Sequence, residues 1–199
     1  MEFVIHRVNK IKDLKSLPKK FGAEIDIRTM GSKLILNHDP FNKGDILENY
    51  LENYEHKTLV LNLKEAGIEK EVLKLVKIHL IKSFFLLDVE MPYMYLATKK
   101  GQKNIAVRFS EYESLDLTKY FQGKLNWVWI DTVTKLPINL NNAKILSKFK
   151  SCIVCPERWG RKKDIKMYKK KLFKLKFKPT SIMTSLDCVD EWAKQNKYL

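Results

Sequence analysis

The sequence predicts an α/β protein: a small (β/α)8 TIM barrel with a β-hairpin inserted after strand 2, spanning residues 1–199 as one domain. Three observations predict it. Short apolar runs alternate with amphipathic stretches about eight times, the rhythm of a parallel sheet with helical crossovers. Polar residues recur where those runs end, among them His6, Glu24, Asp26, Asn62, Asp88 and Asp131, and a barrel places its working groups at the C-terminal strand ends. No glycine-rich phosphate loop follows the first strand, which argues against the competing open doubly wound sheet.

The elements follow in order. Residues 3–5 are a short apolar strand, and Ile11, Leu14 and Leu17 give a first helix that stops at Pro18. Residues 22–28 alternate apolar and charged side chains, a period-2 strand. Met30-Gly31-Ser32 reads as a turn and 33–36 as the returning strand. Residues 46–54 read as a helix, 58–64 as a strand, and 68–81 as the clearest amphipathic helix. Strands are expected at 83–87, 105–107, 125–130, 152–155 and 181–184, with helices after Pro92, before 125, and at 143–149, 165–177 and 189–197. In the basic helix Met167, Leu172 and Phe173 are expected to pack inward.

Composition narrows the classes. Lys and Arg exceed Asp and Glu by 38 to 23, a net charge of +15, which suits anionic partners of any kind. Lysine spread along the whole chain, with no nucleic-acid-binding motif, does not favour a nucleic-acid-associated protein. The lysine-rich stretch at 162–178 leaves a transient membrane-surface contact open. The five arginines, at 7, 28, 108, 158 and 161, fall at or just after expected strand ends, where a planar fork suits phosphate. Cys152, Cys155 and Cys188 are an odd set without a second Cys pair for zinc, so they read as reduced thiols. The apolar run at 80–89 is broken by Lys82 and Asp88 and is too short to span a bilayer. With the first strand starting almost at Met1, the expectation is a cytoplasmic protein without a signal peptide.

Residues 22–41 concentrate the chemistry. Glu24 and Asp26 lie two apart on one strand face, and buried carboxylates require a metal, a cation or water as partner. The hairpin then brings His38-Asp39 back towards them, and His6-Arg7 ends the first strand. His-Arg after strand one, Glu-x-Asp at the end of strand two and His-Asp about a dozen residues on together resemble the glycerophosphodiester phosphodiesterase superfamily, with its phosphatidylinositol phospholipase C-like relatives. The motif covers the first third of the chain. The resemblance implies a barrel phosphodiesterase acting on a small anionic diester, with Arg7 and Lys64 contacting its phosphate. Two positions depart from the family pattern. Val8 stands where a glycine usually follows His-Arg, so that loop must turn differently. Asn62 stands where a third carboxylate usually sits, offering a carbonyl oxygen without charge.

The residues themselves support the same chemistry. Cleaving a phosphodiester takes a proton from one oxygen and gives another to the leaving alkoxide, and imidazoles suit both steps near neutrality. His6 and His38 are therefore the expected acid–base pair. Glu24 and Asp26, with Asn62 or a strand-end acid such as Asp88 completing the set, are expected to hold a hard divalent cation, Mg²⁺ or Ca²⁺, and Asp39 to orient His38. The alternatives are a degenerate barrel that binds a phosphate ligand without turnover and, third, a basic nucleic-acid-associated protein.

Overall fold

The computed structural model describes residues 1–194. The chain divides into two compact units, one of residues Val4–Ile105 and one of Met1–Phe3 with the chain from Ala106 onward.

β1 (Glu2–Ile5), whose last two residues open the first unit, leads into α1 (Ile11–Ser16) and β2 (Gly22–Met30). A hairpin follows, β3 (Lys33–Leu36) with the two-residue β4 (Asp45–Ile46), then α2 (Leu47–Glu52), β5 (Leu59–Leu63), α3 (Glu69–Ile78), β6 (Phe84–Leu87) and α4 (Met91–Lys99). β2 pairs in parallel with β1 on one side and β5 on the other, and β5 pairs with β6. β3 runs antiparallel to both β2 and β4. Ala23, Ile25 and Ile27 are fully buried, as are Leu59, Val60 and Leu61. β-branched and aliphatic residues on a strand packed on both faces explain this continuous apolar run. α3 buries Val72, Leu75 and Val76 at helical spacing, the single apolar stripe of a helix lying on a sheet.

In the second unit α5 (Leu115–Phe121), α6 (Leu140–Leu146), α7 (Ile165–Lys174) and α8 (Val189–Ala193) alternate with β7 (Ala106–Phe109), β8 (Trp127–Ile130), β9 (Lys150–Val154) and β10 (Ser181–Thr184). These four strands run parallel in the order β7, β8, β9, β10. Asn139 and Asn142 form a reciprocal capping box that starts α6, a device that stabilises a helix by about 1 kcal/mol. Trp127 and Trp129 are both buried, whereas Trp159 is exposed. The three cysteines are free and buried.

In chain order β1, β2 and β5 to β10 alternate with helices, the α/β class and (β/α)8 element order expected, with the hairpin after strand two. Three readings change. β4 occupies the start of the segment taken as a helix at 46–54, because Ile46 pairs with Ile35 before the helix begins. In α7 the buried residues are Ile165, Tyr168 and Leu172, while Met167 and Phe173 are exposed. At about 100° per residue, Met167 lies nearly opposite Ile165, off the buried stripe. The final helix ends at Ala193, and the rest of the 189–197 reading lies outside the described residues.

Gly44 holds the hairpin closed. A Cβ there would stand 2.1 Å from the Leu36 carbonyl oxygen, so the β3–β4 approach requires glycine. Gly44→Ala is expected to cost about 1–3 kcal/mol, read as a lower urea midpoint. An unchanged midpoint would mean that the two segments do not approach this closely.

Candidate active site

The residues singled out from sequence lie in the first unit: His6 and Arg7 just after β1, Glu24 and Asp26 in the part of β2 that pairs in parallel with β5, Asn62 and Lys64 at the end of β5, and His38 just after β3. Register explains much of the grouping. Asp26 on β2 is alongside Asn62 on β5, and Glu24 is two residues back on the same face. Glu24, Asp26 and Asn62 are each at least 97% buried.

Every carboxylate oxygen of the pair has a donor or cation close by. Asn62 Nδ2 donates to Glu24 Oε1 at 2.9 Å, and the Arg7 backbone N–H donates to Glu24 Oε2 at 2.8 Å. Lys64 Nζ lies 3.1 Å from Asp26 Oδ1. Asn9, which sequence reasoning missed, clamps Asp26 from both ends. Its Nδ2 donates to Asp26 Oδ2 at 2.8 Å, and its Oδ1 accepts from the Asp26 backbone N–H at 2.8 Å. Even so, burial, followed by the nearby Asp26 charge, pushes the Glu24 carboxyl up from 4.5 to about 7, against the lowering effects of Asn62, the Arg7 amide and Lys64. Burial thus makes the ionised form of Glu24 costly unless a proton or a cation accompanies it.

The loop after β1 explains how Val8 is accommodated. The left-handed backbone falls on Arg7, with φ 56°, a conformation that costs a non-glycine residue on the order of 1 kcal/mol or more. That turn aims the Arg7 N–H at the Glu24 carboxylate, lets the Val8 N–H bond the Glu24 carbonyl at 2.9 Å, and buries Val8. His6 Nε2 lies 4.0 Å from Glu24 Oε2, and Arg7 Nε lies 3.9 Å from Asp26 Oδ2. Asp88, also left-handed at φ 57°, reaches within 3.9 Å of Lys64 Nζ.

His38 is tied to this group through Arg28. The Arg28 guanidinium donates to the His38 carbonyl oxygen at 3.0 and 3.1 Å, and to the Lys64 carbonyl oxygen at 3.4 Å. Arg28 thus engages backbone, and it lies past the part of β2 paired in parallel with β5, in the part that pairs with β3. His38 Nδ1 is 2.7 Å from Asp39 Oδ1. That hydrogen bond is the main reason the Asp39 carboxyl sits below its ordinary range. In the second unit the expected strand-end charges engage one another. Arg108 bonds Asp131 at 2.8 Å and Glu113 at 3.1 Å, and Arg161 bonds Asp164, Tyr168 and the Thr132 carbonyl.

The donor chemistry at Glu24 fits a hard cation. Two carboxylates supply oxygen and negative charge, and Asn62 Oδ1 is buried with no hydrogen-bond partner among the described residues. No group of three or more His, Cys, Asp or Glu in metal-binding geometry occurs among the described residues, so an amide would be the third protein ligand.

A buried carboxylate pair beside a histidine, an arginine and a lysine, at the C-terminal ends of parallel strands, has the placement of a functional site in a (β/α)8 protein. Comparison with solved structures specifies the fold further. The chain is similar to a glycerophosphoryl diester phosphodiesterase from Parabacteroides distasonis, with TM-score 0.65, 12% identity, and coverage of 96% of this chain and 85% of that one. It is also similar to a glycerophosphodiester phosphodiesterase from Agrobacterium tumefaciens, with TM-score 0.67, 12% identity, and coverage of 97% and 99%. Neither a family model nor a curated protein matches the sequence. The chain has the fold of these phosphodiesterases over almost its whole length. No helix among the described residues is long and apolar enough to cross a membrane.

Proposed function

We propose that the protein is a phosphodiesterase that cleaves a small anionic phosphodiester by acid–base catalysis, with His6 and His38 as the proton-transfer groups. The observation that carries this reading is the buried Glu24–Asp26 pair, with His6 4.0 Å from Glu24 and Lys64 3.1 Å from Asp26, on a chain with a phosphodiesterase fold. The setting proposed is cytoplasmic, with nucleic acid not a partner.

Each residue has a definable task. Asp39 holds His38 at Nδ1, which leaves Nε2 as the nitrogen that exchanges a proton with the diester. His6, partly exposed beside Glu24, exchanges the second proton. Arg7 and Lys64 place positive charge at the rim of the carboxylate pair, where they brace the non-bridging phosphate oxygens. Asn9 fixes the Asp26 rotamer. Glu24, Asp26 and the Asn62 carbonyl oxygen would hold Mg²⁺ or Ca²⁺. Such an ion polarises the phosphoryl group when bound.

Chelation is the direct test. Turnover of glycerophosphodiesters, nucleotide-diphosphate esters and lysophospholipids should vanish in chelator and return with Mg²⁺, Mn²⁺ or Ca²⁺. Full activity after exhaustive chelation would remove Glu24 and Asp26 from this role. Asn62→Glu should tighten cation binding measured by calorimetry, since it adds a charge at the third ligand. An unchanged affinity would place Asn62 outside the ion's reach.

A further inference from the structure

Next to His38 lies a cavity of about 560 Å³, within the size range of small-ligand sites, roughly 300–1,000 Å³. Its wall is formed by Asn9, Lys10, Lys12, His38, Lys43 and Asp45, among others. Asn9 is the residue that clamps Asp26, so the cavity shares a wall with the carboxylate pair. The three lysines come from two separate segments, the α1 start and the β3–β4 loop, and Gly44 lets the second segment approach. None of the three makes an ion pair among the described residues. The acid on this wall, Asp45, accepts the Ile11 backbone N–H at 2.6 Å. Leu36 is the one aliphatic residue of the lining and is buried, so the groups that meet a ligand are chiefly the lysine, asparagine, histidine and aspartate side chains.

We infer that this cavity binds a second anionic group of the substrate, of phosphate-monoester type, carried on the alcohol beside the scissile phosphate. The inference rests on the phosphodiesterase reading, because His38 lines the cavity and would face the alcohol held there. Three ammonium groups around a recess this size suit one compact dianion. A flat field of lysines would instead attract polyanions without shape. The substrate class is then a diester of a phosphorylated alcohol. The phosphate could belong to a soluble sugar or glycerol phosphate, or to a lipid headgroup, and the test separates the two.

Turnover of glycerophosphoglycerol is compared with that of the same diester bearing a terminal phosphate. The phosphorylated diester should have the higher kcat/KM, by roughly tenfold, a span that several partly exposed charge contacts supply together. The ratio should shrink with salt and approach one in the triple variant Lys10→Gln, Lys12→Gln, Lys43→Gln. The matching Lys→Arg triple variant, which keeps the charge, should retain it. A wild-type ratio near one, or a ratio that survives the Gln substitutions, overturns the inference. If neither diester is turned over, calorimetry decides. Tighter binding of glycerol bisphosphate than of glycerol phosphate, lost in the Gln variant, keeps the cavity assignment while the phosphodiesterase reading falls. Equal binding overturns the assignment. Where the preference for the second phosphate holds, lysine-dependent sedimentation with phosphatidic-acid vesicles assigns the group to a lipid headgroup, and its absence assigns it to a soluble alcohol.

Discussion

Alanine at His6 or at His38 is expected to lower kcat by roughly 10²–10⁴-fold, the usual span for one acid–base group. Substrate affinity should change far less, because in the proposed mechanism Arg7, Lys64 and a cation on the carboxylates would hold the phosphate. The two variants differ in their surroundings. His38 has Asp39 at 2.7 Å, so Asp39→Asn should weaken the orientation of the imidazole and cut kcat by less than His38→Ala does. The carboxylate nearest His6 is Glu24, at 4.0 Å, and it belongs to the buried pair. Arg7→Lys keeps the charge but loses the planar fork, so it should weaken substrate binding and transition-state stabilisation together. A binding module on the same fold would give another pattern: no turnover across the diester panel, ligand affinity insensitive to either histidine, and affinity lost only at Arg7 or Lys64. The Asn62 amide, in place of a third carboxylate, is the observation that keeps this second reading in play. Wild-type protein inactive on every diester with divalent cation present would end the catalytic assignment of both histidines.

What was legible in the sequence follows from periodicity. Alternation over 22–28 was enough to place Glu24 and Asp26 on one strand face, whereas Asn62 was reached through the family motif, and the register of β2 with β5 sets it beside Asp26. The hairpin was visible because Gly31 sits between two short apolar runs, and it adopts φ 61° at the turn. Asn9 was not legible. Its amide contacts both the Asp26 side chain and its backbone, and only the turn after β1 brings it there. Arg28 misled for a related reason. Its place at an expected strand end suggested a phosphate ligand, but its side chain reaches two carbonyl oxygens that no sequence pattern marks as lacking partners. α7 shows the same limit on a helix. Lysines at seven of the positions from 162 to 174 left several apolar stripes open, and tertiary packing chose Ile165, Tyr168 and Leu172.

The carboxylate pair also sets how stability depends on pH. Glu24 has its carboxyl raised from 4.5 to about 7, first by burial and then by the charge of Asp26. A folded-state value above the unfolded one means that the folded chain holds a proton which the unfolded chain releases. This contribution to stability is fully present below about 4.5 and is lost as pH rises through about 7. The shift corresponds to roughly 3 kcal/mol, or a fall in Tm of about 6–12 °C for a domain of this size. Thermal melts of cation-free wild type and Glu24→Gln at pH 5 and pH 8 isolate it, because the variant has no proton to lose at this position. Wild type should lose more stability than the variant between the two pH values. Mg²⁺ or Ca²⁺ should then stabilise wild type more at pH 8 than at pH 5, since the ion competes with the proton for the same carboxylate. The Gln variant should show little of this cation effect. Parallel pH profiles for the two proteins would mean that Glu24 ionises as freely as an exposed acid. Its ionised form would then carry no burial cost for a cation to offset.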